Sequence, residues 1–238
     1  MNTEFNMETN TLWSFKERGD WASHKGDYPG NWSPFVPKNL ILRYTSIGDT
    51  VLDQFLGSGT TIIETKLLDR RGIGCDINNE AINIAKNRVK NLKGMFEPEI
   101  INADATMLNF IKDSTIDLIC THPPYSNIIN YSKNNKCDLS LLALDDFYSA
   151  INKVAMESLR ILKKGKICSV MMGDMRKHGC VVPLGFNVMN IFLQAGFKLK
   201  EIIIKEQHNC SSTEYWRKIS VQRNFFLLAH EYIFVFIK

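Results

Sequence analysis

From Asp49 onward, short apolar runs alternate with segments whose hydrophobic positions recur every three to four residues. Strands alternating with amphipathic helices predict a doubly wound α/β fold on a mostly parallel sheet. Candidate strands are Thr50 to Phe55, Gly72 to Ile77, Glu99 to Ala103, Ile116 to Thr121 and Gly165 to Met172. Helical patterns fall over Thr60 to Leu68, Asn79 to Leu92, Leu144 to Leu162 and Phe186 to Ala195. Two long apolar runs, Phe197 to Lys205 and Tyr232 to Ile237, end the chain, and no helix of comparable length is expected between them. They predict an antiparallel C-terminal hairpin at the sheet edge, which brings the expected sheet to seven strands.

The first 45 residues have another texture. Trp13, Phe15, Trp21, Tyr28, Trp32 and Phe35 are interleaved with Gly and Pro, which predicts an irregular arm pinned by aromatic side chains. Pro37 to Tyr44 reads as a short helix with Leu40, Ile41 and Tyr44 on one face. No repeat or low-complexity linker divides the chain, so one domain, 1–238, is expected: arm and helix over 1–45, catalytic sheet over 49–238.

Composition agrees with one ordinary globular unit, since 45% of the 238 residues are hydrophobic and 23% charged. A formal net charge of +4 suits a polyanionic partner without demanding one. Cys75, Cys120, Cys137, Cys168, Cys180 and Cys210 are widely spaced with no CxxC pair, so they read as reduced, buried small hydrophobes. His24, His178 and His208 show no metal spacing, and no metal is expected. The N-terminus is polar, and no apolar stretch approaches the roughly 20 residues of a membrane span. A soluble, cytoplasmic protein is the expectation.

Two loops carry the candidate chemistry. Asp53-Gln54-Phe55-Leu56-Gly57-Ser58-Gly59-Thr60-Thr61 runs from a strand through a Gly-x-Gly turn into a helix. In doubly wound sheets ligands bind where strand ends open into such turns, and helix N-terminal amides can receive a carboxylate. Asp53 is expected to take the ligand's amino group. Asp76, ending the next strand beside Ile77, is placed for ribose hydroxyls, and Asp104, beside Ala105 after the third strand, for an adenine amino group. Ile62 stands where a dinucleotide fold wants its third Gly, which favours an adenosyl amino acid over NAD. A plain strand-to-helix turn is the alternative.

The second loop, Thr121-His122-Pro123-Pro124-Tyr125, ends the fourth strand. Adjacent prolines fix φ and donate no backbone hydrogen bond, so they hold a stiff turn with outward carbonyls. A carbonyl beside a polar side chain can accept both hydrogens of an exocyclic amine, and an aromatic next to it can stack on an extruded base. The alternative is a Pro-Pro loop with a packing Tyr.

These two loops resemble those of the DNA amino-methyltransferases that act on adenine N6 or cytosine N4. The family's cofactor loop is usually Asp-x-Phe-x-Gly-x-Gly-Thr-Thr, and its catalytic loop ends in Pro-Pro-Tyr. The resemblance spans nearly the whole chain, with the cofactor loop preceding the catalytic loop in a gamma-like motif order. It implies a Rossmann-like methyltransferase sheet and S-adenosylmethionine as cofactor, held by Asp53, Phe55, Gly57, Ser58, Gly59, Thr60, Asp76, Ile77, Asp104 and Ala105. Asn31 and Trp32, in the arm, sit where related enzymes touch the methionine end of the cofactor. His122, Pro123, Pro124 and Tyr125 would be catalytic. The chain departs from the family at His122, where Asp, Asn or Ser is usual. A neutral imidazole can accept one amine hydrogen, but an unperturbed one protonates below about pH 6.5.

Asn130, Tyr131 and Lys133, in the polar loop after the catalytic turn, are expected to meet nucleic acid, or else to form an exposed loop. Asp174 and Arg176 follow the fifth strand and could touch the substrate backbone or simply make a polar turn. Lys218 and Arg223 could reach phosphates, whereas His230-Glu231 reads as structural. The expected partner is DNA with its target base flipped out. Because no large recognition region is visible, either recognition is short, or a homodimer or a separate specificity subunit contributes. An RNA base methyltransferase and a non-catalytic cofactor-binding subunit are the alternatives.

Overall fold

In a computed structural model the described residues are 5–125, 138–208 and 213–238. The chain opens with a two-residue strand, β1 (Leu12–Trp13), an irregular arm and helix α1 (Phe35–Tyr44). There follow β2 (Thr50–Asp53), α2 (Thr60–Leu67), β3 (Arg71–Asp76), α3 (Asn79–Val89), β4 (Glu99–Asn102) and β5 (Ile116–Thr121). Next come α4 (Leu144–Ile161), β6 (Leu162–Met172), a short hairpin of β7 (Met175–Lys177) and β8 (Cys180–Val182), and α5 (Leu184–Ala195). The chain closes with β9 (Lys198–Glu206), α6 (Thr213–Gln222) and β10 (His230–Ile237).

The main sheet has the order β1-β9-β10-β6-β5-β2-β3-β4. From β6 to β4 it is parallel, and β10 enters antiparallel between β6 and β9. Its central strands are apolar on both faces because helices cover both, as a parallel sheet requires. Along β2 and β5, Leu52 and Ile119 face a core shared with α4 and α5, while Val51 and Leu118 face the opposite core with α1 and Trp32. α1 packs on α2 and α2 on α3. The Asn78 side chain caps α3 by accepting the Glu80 amide at 2.9 Å.

Three features differ from the sequence expectation. The sheet has eight strands rather than seven, because β1 lies parallel beside β9, pairing Leu12 with Ile204 and Trp13 with Lys205. Two residues carry no period, so only the docking of Trp13 into the core reveals this strand. Helix α6, ten residues long, occupies the segment between the last two strands where no helix of comparable length was expected. It buries no residue, so no apolar face marks it in the sequence. Asp174 and Arg176 lie at the start of a hairpin rather than in a simple turn, since Lys177 pairs with Cys180 around His178 and Gly179, both at positive φ.

The cysteine expectation holds for Cys75, Cys120 and Cys168, which are free and buried, but Cys180 is exposed at that hairpin. Cys137 and Cys210 lie outside the described residues. Among the described residues, no helix is long and apolar enough to cross a membrane.

Candidate functional site

Backbone amides and strand-end carboxylates build the first half of the site. β2 breaks after Asp53, and the chain turns through Gly57 and Gly59, at φ +49° and +89°. Gly59 is the left-handed cap of α2, and a Cβ there would lie 2.9 Å from that of Ala85, so any side chain meets both strain and α3. Asp76 at the end of β3 braces the turn, its Oδ2 accepting the Gly57 amide and its Oδ1 the Asn78 amide, each at 2.9 Å. Burial raises the Asp76 pKa against these hydrogen bonds. A carboxylate has about four lone-pair positions, so each oxygen can accept a further hydroxyl.

Beneath the turn lies a pocket, open to solvent on one side, with about 770 Å³ of non-atom space. Phe55, Gly57, Ser58 and Thr60 line it from the turn, Asp76, Ile77, Asp104 and Ala105 from the strand ends, and Asn31 and Trp32 from the arm. Thr60 Oγ1 donates to Asn31 Oδ1 at 2.5 Å and so ties the arm to the head of α2. Farther along the arm, Trp21 Nε1 donates to the buried Glu64 Oε1, which His24 Nε2 also meets, both at 2.7 Å.

Asp53 and Gly59 are absent from the lining. Asp53 is buried beneath the turn, where its carboxylate accepts from Thr61 Oγ1 at 2.5 Å, Thr121 Oγ1 at 3.0 Å and the Phe55 amide at 3.1 Å. Burial outweighs these hydrogen bonds and pushes its pKa up to about 6. In this position Asp53 joins the two loops from below.

The pocket's chemistry is selective. Asp76, Asp104 and Asp138 line it, and no described lysine or arginine does. Such a wall favours a ligand with amines, hydroxyls or positive charge and disfavours a diphosphate. Ser58 Oγ and Gln54 Nε2, both buried in pocket-lining residues, have no hydrogen-bond partner among the described residues. Buried polar groups are rarely left unpaired, so these two suit a polar ligand.

The second half of the site is the turn after β5. His122 and Pro124 line the first pocket and also a larger open cavity of about 1890 Å³, which Pro123, Tyr125, Asp174, Lys205 and Glu231 line as well. The two cavities thus share one wall. The His122 ring stacks on Trp32, with centroids 5.5 Å apart and planes at 21°. Its Nε2 lies 2.8 Å from the Tyr125 hydroxyl, which donates to Glu231 Oε1 at 2.7 Å. Burial lowers the His122 pKa to about 4, so the imidazole is neutral near pH 6.5 and not half protonated as a free one would be.

The expected substrate residues divide. Asp174 lines the open cavity, and its carboxylate accepts the Gly185 amide at 2.9 Å and the Tyr232 hydroxyl at 3.3 Å. Arg176 donates to the carbonyls of Gly179 and Phe226 and stacks on Phe225, binding the β7–β8 hairpin to the segment before β10. Lys218 and Arg223 are exposed and outside both cavities. Asn130, Tyr131 and Lys133 lie outside the described residues.

Sequence reasoning missed Tyr28, Gln54, Asp138, Lys205 and Glu231, all of which line a cavity. Gln54 lies within the cofactor loop, Tyr28 among the aromatics of the arm, and Glu231 is a carboxylate heading an otherwise apolar buried strand, so these three left a signal. Among the described residues no group of three or more His, Cys, Asp or Glu could hold a metal.

Comparison with known proteins bears on this arrangement. The family model described as DNA methylase, for the N6/N4 type, matches residues 2–87 and 116–238. The tRNA (guanine(10)-N2)-dimethyltransferase of Methanothermobacter thermautotrophicus is 33% identical over 99 residues, 41% of this chain and 29% of that protein. The Type II methyltransferase M.HpaI of Haemophilus parainfluenzae is 37% identical over 78 residues, 33% of this chain and 25% of that protein. The matches thus span under a third of either relative's length. In structure the chain is similar to TrmN from Thermus thermophilus, with a TM-score of 0.59 at 17% identity, covering 88% of this chain and 50% of that one.

Proposed function

Because this chain belongs to the N6/N4 DNA methylase family, we propose that it transfers a methyl group from S-adenosylmethionine to an exocyclic amino nitrogen, cytosine N4 or adenine N6, of a flipped base in DNA. The observation that carries this reading is the shared wall. His122 and Pro124 border both the acidic, glycine-lined pocket and the open cavity beside Tyr125, so a donor in one and a base in the other would meet across them.

The residues present fit the cofactor. Its positive charge matches the wall of Asp76, Asp104 and Asp138, its amines and hydroxyls can donate to the unpaired Ser58 Oγ, and its hydroxyls or carboxylate can accept from Gln54 Nε2. Asp76 would hold the ribose hydroxyls and Asp104, with Ile77 and Ala105, the adenine. Gly57, Ser58, Thr60, Asn31 and Trp32 would face the methionine end. When bound, S-adenosylmethionine supplies a methyl group made electrophilic by the adjacent sulfonium.

On the acceptor side, a neutral His122 accepts one amine hydrogen and the Pro123 carbonyl the other. The amine lone pair is then turned toward the donor pocket, and positioning provides most of the rate. Tyr125 packs against the base, and Asp174 borders the same cavity. Lys218 and Arg223 contact phosphates outside it. A homodimer or a separate specificity subunit completes recognition of the DNA, in a cytoplasmic modification system of the type II kind.

The likeness to a tRNA (guanine(10)-N2)-dimethyltransferase supports a second reading in which the amine belongs to an RNA base. Incubating the protein with labelled donor and matched DNA and RNA pools, then identifying modified nucleosides by mass spectrometry, tests both. Label in N4-methylcytosine or N6-methyladenine of DNA supports the first reading, and label in RNA alone the second. Label in neither leaves a non-catalytic cofactor-binding subunit, which His122→Ser or His122→Asp would restore to activity.

A further inference from the structure

The hydrogen bonds around Tyr125 contain a proton count that identifies which nitrogen of His122 is available to a substrate. Tyr125 has one hydroxyl hydrogen, and among the described residues the hydroxyl meets Glu231 Oε1 at 2.7 Å, to which it donates, and His122 Nε2 at 2.8 Å. Glu231 is ionised. Burial would raise its carboxyl pKa, but Lys205, His122 and the hydrogen bonds from Lys205 and Tyr125 outweigh it, leaving the pKa below the ordinary value. A carboxylate only accepts, so the single Tyr125 hydrogen goes to Glu231, and His122 Nε2 must bring its own hydrogen to the phenol oxygen.

Three further contacts hold this chain in place. Lys205 stands directly across from Glu231 in the antiparallel β9–β10 pair and donates to its Oε2 at 2.8 Å. Gly173, the residue after β6, leaves room for the phenol, since a Cβ there would lie 2.9 Å from Tyr125 Cε2 and 3.5 Å from Glu231 Cγ. Trp32 stacks on the imidazole and limits its rotation. Nδ1 of His122 makes no hydrogen bond to any described residue.

We propose that Glu231 is a positioning residue which, through the Tyr125 hydroxyl, locks His122 in the Nε2–H tautomer and leaves Nδ1 as the atom that accepts an amine hydrogen. This rests on the reading of His122 as the amine acceptor. It also explains how histidine can stand where the family usually has Asp, Asn or Ser. Imidazole offers a lone pair on only one nitrogen at a time, and the wrong tautomer would present a hydrogen to the amine.

Glu231→Gln makes the test sharp. The Lys205 ammonium requires an acceptor, so the new amide turns its oxygen to Lys205 and its NH2 to Tyr125. Tyr125 then donates to His122 Nε2, and the tautomer inverts to Nδ1–H. Nitrogen-15 NMR of the full chain with ring-labelled histidine, assigned through a His122→Asn variant, reads this directly near neutral pH. The expected result is an unprotonated Nδ1 in the native chain and a protonated Nδ1 in Glu231→Gln. Alongside it, kcat for methyl transfer falls roughly 10²-fold, while calorimetric donor affinity, which also shows that the variant folds, is unchanged. Adding Lys205→Met to Glu231→Gln frees the amide oxygen to face Tyr125 and brings back the native tautomer.

A protonated Nδ1 in the native chain, or a tautomer that ignores Glu231→Gln, overturns the lock whatever the activity. An inverted tautomer with undiminished transfer overturns instead the role of His122 as acceptor. A chain that methylates no nucleic acid fails the proposed function, while the NMR result still decides the lock.

Discussion

Thr121 Oγ1 donates to Asp53 Oδ1 at 3.0 Å across 68 residues of sequence, joining the last residue of β5 to the last residue of β2. β2 and β5 are paired neighbours, each leading into one of the two loops of the site, and this hydrogen bond ties the bases of those loops together. Its acceptor is buried, and its pKa is raised from 3.8 to about 6. A carboxyl with a raised folded-state pKa holds more protons folded than unfolded between about pH 4 and about pH 6. Its contribution to stability is therefore full below that window and lost as pH rises through it. Asp53→Asn should flatten this part of the stability profile, by on the order of 3 kcal/mol across the window. Urea unfolding at several pH values measures it, and an unchanged slope would contradict the raised pKa.

The environment of His122 predicts an unusual activity profile. With its pKa lowered to about 4 by burial, the imidazole stays neutral well below pH 6.5. The acid limb of kcat assigned to His122 should thus lie near pH 4 and not near that of a free imidazole. Single-turnover methyl transfer at a series of pH values checks this. A limb at 6.5 that vanishes in His122→Asn would mean that the ring is hydrated in the working complex.

Gly59 should tolerate no side chain. At φ +89°, with a Cβ facing that of Ala85 at 2.9 Å, Gly59→Ala combines backbone strain of about 1–3 kcal/mol with a clash against α3. Loss of calorimetric donor binding together with a lowered melting temperature is expected. Full donor affinity in this variant would remove the turn from the cofactor site.

Lys218 and Arg223 lie outside both cavities, so their effect should be on affinity and not on chemistry. Replacing both with Ala should weaken DNA binding uniformly across sequences and reduce the salt slope of log K by about 2. Fluorescence anisotropy at several salt concentrations reads this, with kcat at saturating DNA as the control. An unchanged slope would place the DNA elsewhere on the surface.

The alternation of apolar runs and periodic segments determined the α/β class and nearly every strand and helix of the parallel half, because buried strands and one-faced helices must carry their burial in their composition. Spacing also determined the two loops, since a Gly-x-Gly turn and a Pro-Pro corner are local backbone devices that need no distant partner. What had no local signature was decided in three dimensions. β1 exists because Trp13 docks beside β9, and α6 forms without burying any face. Asp53, read as a ligand contact, is drawn beneath the turn by Thr61 and Thr121. Glu231 reaches Tyr125 across 106 residues because β10 inserts between β6 and β9. Sequence sets which side chains are available and how each short stretch bends. Only tertiary packing brings remote polar groups close enough to share a proton, and it does so through burial that no single stretch of chain can encode.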